Sequence, residues 1–336
     1  MTRVAIVVLN WNGIEDTISC LEALSKQNFD DFVMVAVENG STDTSVREFK
    51  LLERKYGHKL KTLYNQTNLG FDGGVNTGIR WALKHDFDYI ALLNNDAIPD
   101  RDWLSHLVKA AVANKSGITT GLLLHEDGKT IDSTGDYYSS WGMPFPRGRD
   151  IKTGQAPESG FVFGASGGAS LYSVPLLRDV GIFDEAFFAY YEDVDISFRA
   201  QLAGYRVFYE KKAIAYHKQG ATSGKMPGFT VYQTFKNIPL LYAKNVPFRL
   251  LLPIGLRLFV LYWLIFGNAV RKGAGWPALK GWLASVWYFW TSSLWQRFVI
   301  QRRKSVRTAY ISSLIWHDLP PEQTGLRKLR KAISGK

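Results

Sequence analysis

The sequence predicts an α/β fold: a mostly parallel sheet flanked by helices, followed by a mainly α-helical, basic C-terminal region. Three observations carry this. Short apolar runs alternate with helical patterns through the first hundred residues. Polar clusters end three of those runs. Beyond residue 224, charge and tryptophan content both change abruptly.

The elements follow in order. Residues 4–9 form an unbroken apolar run ending in Asn10-Trp11-Asn12-Gly13, which reads as a buried strand and its turn rather than a secretory signal. Residues 15–27 carry an amphipathic helical pattern. A second strand over 32–37 ends at Glu38-Asn39-Gly40-Ser41, and a helix follows over 45–56. Residues 60–64 read as a short strand, 74–84 as a helix and 89–93 as a fourth strand, ended by Asn94-Asn95-Asp96. Strands apolar at nearly every position are buried on both faces, which implies a parallel sheet covered by helices. Ligands of such sheets bind beyond the carboxyl ends of the strands. The three polar clusters therefore predict one site assembled from distant segments. Residues 130–165, rich in Gly, Pro and aromatics, read as loops or short strands, and 161–172 as a Gly-broken apolar segment. Residues 182–201 hold an acidic-aromatic cluster leading into a helix. Residues 205–216 read as a strand, and 220–228 as a mobile loop or linker.

With 336 residues and 46% hydrophobic content, the chain can build one sizeable core or two modest domains. The 21% charged content excludes a disordered polymer. A single cysteine, Cys20, excludes an internal disulfide framework and fits a reducing compartment. Residues 225–336 hold 18 Lys/Arg against two acids, Asp318 and Glu322, a net +16, whereas residues 1–224 hold 23 against 28, a net −5. Seven of the 11 tryptophans also lie in 225–336. Basic residues mixed with Trp and Leu suit an anionic membrane surface better than a nucleic-acid groove. The apolar run 250–266 contains Pro253 and Arg257 and falls short of the ~20 residues a spanning helix needs. It and the shorter run 282–295 read as interfacial helices. One spanning helix, packing against the head and a homodimer interface are the competing readings.

Four segments carry chemistry. Asp96 at a strand end can hold a hard divalent cation and so neutralise a diphosphate, although Asn-Asp sequences also make plain turns. Phe187-Phe188-Ala189-Tyr190-Tyr191-Glu192-Asp193-Val194-Asp195 places three acids in four positions behind four aromatics. A carboxylate beside an apolar wall has its pKa raised toward that of a general base. Capping of the following helix by Asp193 is compatible with that role. His217, between a strand and a Gly-Ser loop, is placed to ligate a metal, touch a phosphate or serve structure alone. Asn68-Leu69-Gly70-Phe71-Asp72-Gly73-Gly74 opens a helix with glycines that admit close approach by a ligand. The first strand is not followed by Gly-x-Gly-x-x-Gly, and no Walker lysine pattern occurs.

In this order, these segments resemble family 2 glycosyltransferases, and within them the bacterial rhamnosyltransferase-like group. The matching residues are Val7-Val8-Leu9-Asn10-Trp11-Asn12-Gly13, Glu38-Asn39-Gly40-Ser41-Thr42-Asp43, Asn68-Leu69-Gly70-Phe71, Leu92-Leu93-Asn94-Asn95-Asp96, Gly181-Ile182-Phe183-Asp184-Glu185, Tyr191-Glu192-Asp193-Val194-Asp195 and His217. The resemblance spans roughly residues 3–224 and implies a GT-A, Rossmann-like catalytic domain over 1–224, with 225–336 as a membrane-associating region. It implies an inverting transfer of a sugar, rhamnose from dTDP-rhamnose or a sugar from a UDP-sugar, to a glycan or lipid-linked acceptor. Asn10, Trp11, Asn12, Glu38, Asn39, Asn68 and Asn95 are then expected at the nucleotide. Asp96 and His217 are expected at a divalent cation, Mg²⁺ or Mn²⁺. Asp193 is the expected base with Glu192 beside it, and Gly167, Gly168, Ala169 and Tyr191 are expected at the sugar and acceptor. Glu38 stands where Asp is more usual, and Asn94 where the first acid of Asp-x-Asp belongs. A membrane-docked scaffold without activity is the alternative the second departure leaves open. A nucleotidyltransferase needs a Gly- and Lys/Arg-rich loop that residues 10–14 lack. The expected location is the cytoplasmic face of the inner or plasma membrane, peripheral or monotopic, with no nucleic-acid partner.

Overall fold

The computed structural model describes residues 2–218 and 226–319. The first half runs β1 (Val4–Asn10), α1 (Ile14–Leu24), β2 (Phe32–Asn39), α2 (Ser45–Tyr56), β3 (Leu60–Asn65), α3 (Gly70–Ala82) and β4 (Tyr89–Asn94). Strands β3, β2, β1 and β4 lie side by side and parallel, with Val4 in register with both Phe32 and Tyr89. Alternate side chains of β1 enter different cores. Val4, Ile6 and Val8 pack with Leu21 of α1, whereas Ala5 and Val7 pack with Val75 and Ile79 of α3. Both faces are dry, which is why the sequence run is unbroken.

Residues 97–125, for which the sequence pattern gave no assignment, form β5 (Ala97–Pro99), α4 (Trp103–Asn114) and β6 (Ile118–His125). Short strands follow, as expected for 130–165: β7 (Ile131–Ser133), β8 (Asp136–Tyr138), β9 (Pro144–Pro146) and β10 (Gly160–Val162). Then come β11 (Ala169–Ser173), α5 (Val174–Val180), α6 (Glu192–Leu202) and β12 (Val207–His217). β11 inserts antiparallel between β4 and β6, and β12 lies parallel to β6. The sheet is thus parallel through its first four strands and mixed beyond β4. The linker expected at 220–228 lies mostly outside the described residues.

The glycines that open α3 serve the sheet. A Cβ at Gly74 would come within 2.4 Å of Leu9 Cδ1, and one at Gly78 within 2.6 Å of Val7 Cγ1. The close approach expected for a ligand over residues 68–74 is, at Gly74, an approach of helix to strand.

The tail comprises α7 (Phe229–Asn245), α8 (Phe248–Arg271), α9 (Gly275–Tyr288), α10 (Leu294–Arg302) and α11 (Thr308–Leu314). Pro239 sits inside α7 and has no N–H for the carbonyl of Phe235 one turn earlier. The Tyr262 hydroxyl of α8 donates to that carbonyl instead, at 2.8 Å. One hydrophobic cluster unites Tyr138, Phe187, Val194 and Phe198 with Leu240, Leu241 and Ile254 of the tail. The run 250–266 lies inside α8, a helix of 24 residues, about 36 Å at 1.5 Å per residue. Among the described residues it is the one helix long and apolar enough to cross a membrane. Ile254, Leu258, Leu261 and Tyr262 face inward, while Leu252, Leu256 and Phe259 are exposed. Trp287, Trp290 and Trp295 are 68%, 70% and 68% exposed.

Candidate active site

The carboxyl ends of β1, β2 and β4 are tied together by amide side chains. Asn10 Oδ1 accepts from the Thr17 hydroxyl at 2.8 Å, and Asn95 Nδ2 donates to Thr17 Oγ1 at 3.0 Å. Ser41 Oγ accepts from Asn10 Nδ2 and from the backbone N–H of Asn12, whose φ of 51° is left-handed. Asn12 Oδ1 in turn accepts from the N–H of Thr42 at 2.8 Å. Asn39 Nδ2 donates to Asn68 Oδ1 and to the carbonyl of Gly70, both at 3.0 Å. Glu38 spends both carboxylate oxygens on its own turn, accepting from the N–H groups of Gly40 and Ser41 at 3.1 and 2.7 Å. Trp11 is half-buried at the head of this lattice. The predicted nucleotide residues are therefore brought together, largely as a scaffold of mutual hydrogen bonds.

A charged group lies beside it. His217, at the end of β12, has Nε2 3.0 Å from Asp96 Oδ1 and Nδ1 2.7 Å from Asp132 Oδ2. Arg149 holds the other oxygen of Asp132 at 2.8 Å. Asn94 Nδ2 lies 3.3 Å from His217 Nε2. Burial opposes charge on His217, but its hydrogen bonds to Asp132 and Asp96 and their charges outweigh it and push the imidazole up to about 9. Among the described residues no group of three or more His, Cys, Asp or Glu forms a closed metal cage. A cation shared with a diphosphate needs only one or two protein carboxylates; Asp96 fits that kind of ion, and His217 can join it only by giving up its Nε2 proton.

Asp193 is fixed from two sides. The N–H of Gly167 donates to its Oδ2 at 2.9 Å and that of Val194 to its Oδ1 at 2.8 Å. A Cβ at Gly167 would come within 3.3 Å of Asp193 Cβ, so the absence of a side chain there lets the two segments meet. Gly168 accepts from the N–H of Asn94 at 2.9 Å, which links the Asp193 side of the site to the end of β4. Burial raises the Asp193 carboxyl above its usual range, and the two N–H groups only partly reverse this. Ala169 does not join the group: its side chain is buried with Ala91, Leu93 and Leu123. Tyr191 packs between two clusters shared with the tail.

With this geometry in place, comparison with known proteins is decisive. The profile of glycosyl transferase family 2 matches residues 5–181, just over half of the chain. The chain belongs to glycosyl transferase family 2. A poly-β-1,6-N-acetyl-D-glucosamine synthase of Staphylococcus epidermidis is 25% identical over 207 residues, covering 60% of this chain and 46% of that protein. The chain thus spans less than half of that relative. Two solved structures share the fold. One is a mannosyltransferase from Pyrobaculum calidifontis in complex with GDP-Man and Mn²⁺, with TM-score 0.52, 15% identity and coverage of 93% of this chain and 78% of that one. The other is Staphylococcus aureus TarS 1–349 with UDP-GlcNAc, with TM-score 0.55, 14% identity and coverage of 90% and 91%.

Some residues of this family 2 site escape sequence reasoning. Asp132 and Arg149 come from a loop-rich stretch with no motif, and only the pairing of β7 with β6 brings Asp132 to His217. Asp72 is fully buried, and neither of its carboxylate oxygens has a hydrogen-bond partner. Burial, then the charge of Glu192, pushes Asp72 well above the usual range. Glu192 is itself buried and raised, first by burial and then by Asp193.

The His217 triad predicts a pH signature. A histidine raised from 6.5 to about 9 on folding contributes stability that is fully present below 6.5 and is lost as pH rises through about 9. Denaturant unfolding of wild type and His217→Gln should therefore differ most at low pH and converge above pH 9. A difference independent of pH refutes the charged triad.

Proposed function

We propose that the protein is an inverting glycosyltransferase that moves a sugar from a nucleoside diphosphate to a hydroxyl of a glycan or lipid-linked acceptor, with residues 1–224 as the catalytic unit. The observation that carries this is Asp193, a part-buried carboxylate fixed by the N–H groups of Gly167 and Val194 and linked through Gly168 to the strand end that holds Asn94 and Asp96. Asp193 takes the proton of the acceptor hydroxyl as that oxygen bonds to the anomeric carbon, on the face opposite the phosphate. The bond from that carbon to the diphosphate oxygen breaks, and the electron pair leaves with the nucleoside diphosphate. A single displacement inverts the centre. Asp96, joined by His217 once its Nε2 has given up its proton, would hold a divalent cation, Mg²⁺ or Mn²⁺, which would supply charge neutralisation for the leaving diphosphate. Glu192 is raised well above the usual range by burial and then by the Asp193 charge, a stronger rise than that of Asp193 itself, so of the two carboxyls Glu192 holds its proton the more firmly. Trp11 borders the base, and the amide lattice of Asn10, Asn39, Asn68 and Asn95 holds the loops around it.

Residues 225–336 seat the enzyme on the cytoplasmic leaflet. The reading is supported by the net +16 charge, the exposed tryptophans and the two-faced α8, whose inner stripe packs on the body while its outer stripe is apolar. Tryptophan favours the headgroup boundary, and each basic residue near an anionic surface contributes on the order of 1 kcal/mol.

Three outcomes are expected. Asp193→Asn should lower turnover by about 10²–10⁴-fold, the usual yield of positioned proton transfer, while calorimetry shows unchanged nucleoside diphosphate binding. Near-normal turnover removes Asp193 from the role. In a panel of dTDP-rhamnose, UDP-sugars and GDP-sugars, the rhamnosyltransferase-like resemblance predicts turnover with dTDP-rhamnose, and turnover confined to UDP-sugars overturns the rhamnose donor. Finally, the full chain should float with anionic vesicles, and a Trp287→Ser/Trp290→Ser/Trp295→Ser variant should float markedly less. Equal flotation of the two leaves these tryptophans outside the membrane contact.

A further inference from the structure

The segment leading into Asp193 has a backbone that its own side chains disfavour. Phe188, Tyr190 and Tyr191 have φ of 63°, 70° and 71°, three left-handed residues with bulky side chains in four positions. Residues of this kind persist only where their surroundings over-determine them. Here the surroundings are two consecutive polar side chains of α7. Asn237 Nδ2 lies 3.0, 2.8 and 2.9 Å from the carbonyl oxygens of Phe187, Ala189 and Tyr190, and donates to all three. Lys236 Nζ donates to the carbonyls of Ala186 and Phe187 at 2.8 and 3.1 Å. Asn237 is fully buried, so bulk water does not compete with it for these carbonyls. From the opposite side, the N–H of Phe71 at the start of α3 donates to the carbonyl of Phe188 at 2.7 Å. The turn hands directly on to α6: the carbonyl of Tyr191 accepts from the N–H of Asp195. Asp193 sits inside that first helical bond, with its own carboxylate on Gly167 and Val194.

We infer that Asn237 is a positioning residue for the base: by collecting three carbonyls of the left-handed turn, it fixes where α6 begins and so where the Asp193 carboxylate stands. Asn237 acts through the turn, on the carbonyls of Phe187, Ala189 and Tyr190. It belongs to α7, which packs on α9 and α10, so the region proposed as the membrane seat also shapes the catalytic centre. The inference rests on the transfer reaction proposed above.

Its test compares wild type with Asn237→Ala and with Asn237→Ser, which keeps one donor and covers the case in which alanine does not fold. Misplacing a catalytic group by about 1 Å costs on the order of 10²-fold. Loss of kcat approaching that size is therefore expected, with donor KM and nucleoside diphosphate affinity unchanged. Amide exchange over residues 188–194 should quicken. Glycine adopts positive φ at little cost, so Tyr190→Gly added to the Asn237 variant should recover part of kcat even though it lowers overall stability. A merely structural role predicts the opposite, a further loss. Unchanged kcat in the Asn237 variants, or a loss that Tyr190→Gly deepens, overturns the inference. A wild type that turns over no nucleotide sugar overturns the transfer reading instead, and the exchange comparison then decides whether Asn237 holds the turn.

Discussion

The carboxylate of Asp195 is fully buried and charged, and the arrangement of the catalytic half depends on how it is paired. Arg199, one turn along the same helix, holds one oxygen at 2.9 Å. Lys244 and Asn245 of α7 hold the other at 2.9 and 2.7 Å. Burial opposes the charge, but Lys244 and then Arg199 hold the carboxyl down to about 2. Stripping one partner from such a group typically costs about 3–5 kcal/mol, because the remaining charge is left buried and uncompensated. Helix α6 is therefore locked against α7 in rotation and in register. Arg199 carries the constraint further by donating to the carbonyls of Val180, Gly181 and Ile182, which fixes the chain entering the Asp184–Tyr191 segment.

From that lock the site divides into two chemical halves. Around β1, β2 and β3 the polar groups are neutral amides and hydroxyls, apart from Glu38, whose carboxylate is spent on the N–H groups of Gly40 and Ser41. An amide both donates and accepts, so Asn39 bonds Asn68, and Asn10 and Asn95 meet on the Thr17 hydroxyl, which ties these loops together. Around β4, β7 and β12 the groups are charged. Asp96, His217, Asp132 and Arg149 form a chain of alternating sign, with each charge facing its opposite. Asp193 is reached through Gly167, whose missing side chain lets α6 and the 165–168 segment meet. The Asp72 and Glu192 carboxyls are raised by burial and then by neighbouring carboxylates, which opposes negative charge on them.

The same physics explains what could be read in the chain. Val4–Asn10, Phe32–Asn39 and Tyr89–Asn94 were legible because a strand buried on both faces leaves a continuous apolar run, and polar residues appear only where it surfaces. Asp193 was legible because three acids behind four aromatics are hard to explain as packing. Asp132 was not: it has no motif and no apolar period, and it becomes a partner of His217 only when β7 folds back on β6. That the oxygens of Glu38 cap the very turn it begins could not be read from the chain. Asn237 gave no signal at all, since one asparagine in an apolar helix looks like any other satisfied core polar residue.

By itself, then, the sequence determined the alternation of strands and helices, the polar clusters at the carboxyl ends of the strands, the acidic-aromatic segment that leads into α6 and the basic, aromatic character of the tail. These are properties of local pattern and composition, which a chain carries wherever it goes. Only the tertiary structure decided that β11 enters antiparallel beside β4, that His217 stands between two carboxylates, and that α7 closes over the turn before Asp193. Those depend on contacts between residues 50 to 121 positions apart. Such contacts are selected by the packing of whole elements and by the cost of leaving a buried charge or carbonyl unpaired, and neither has a trace in neighbouring residues.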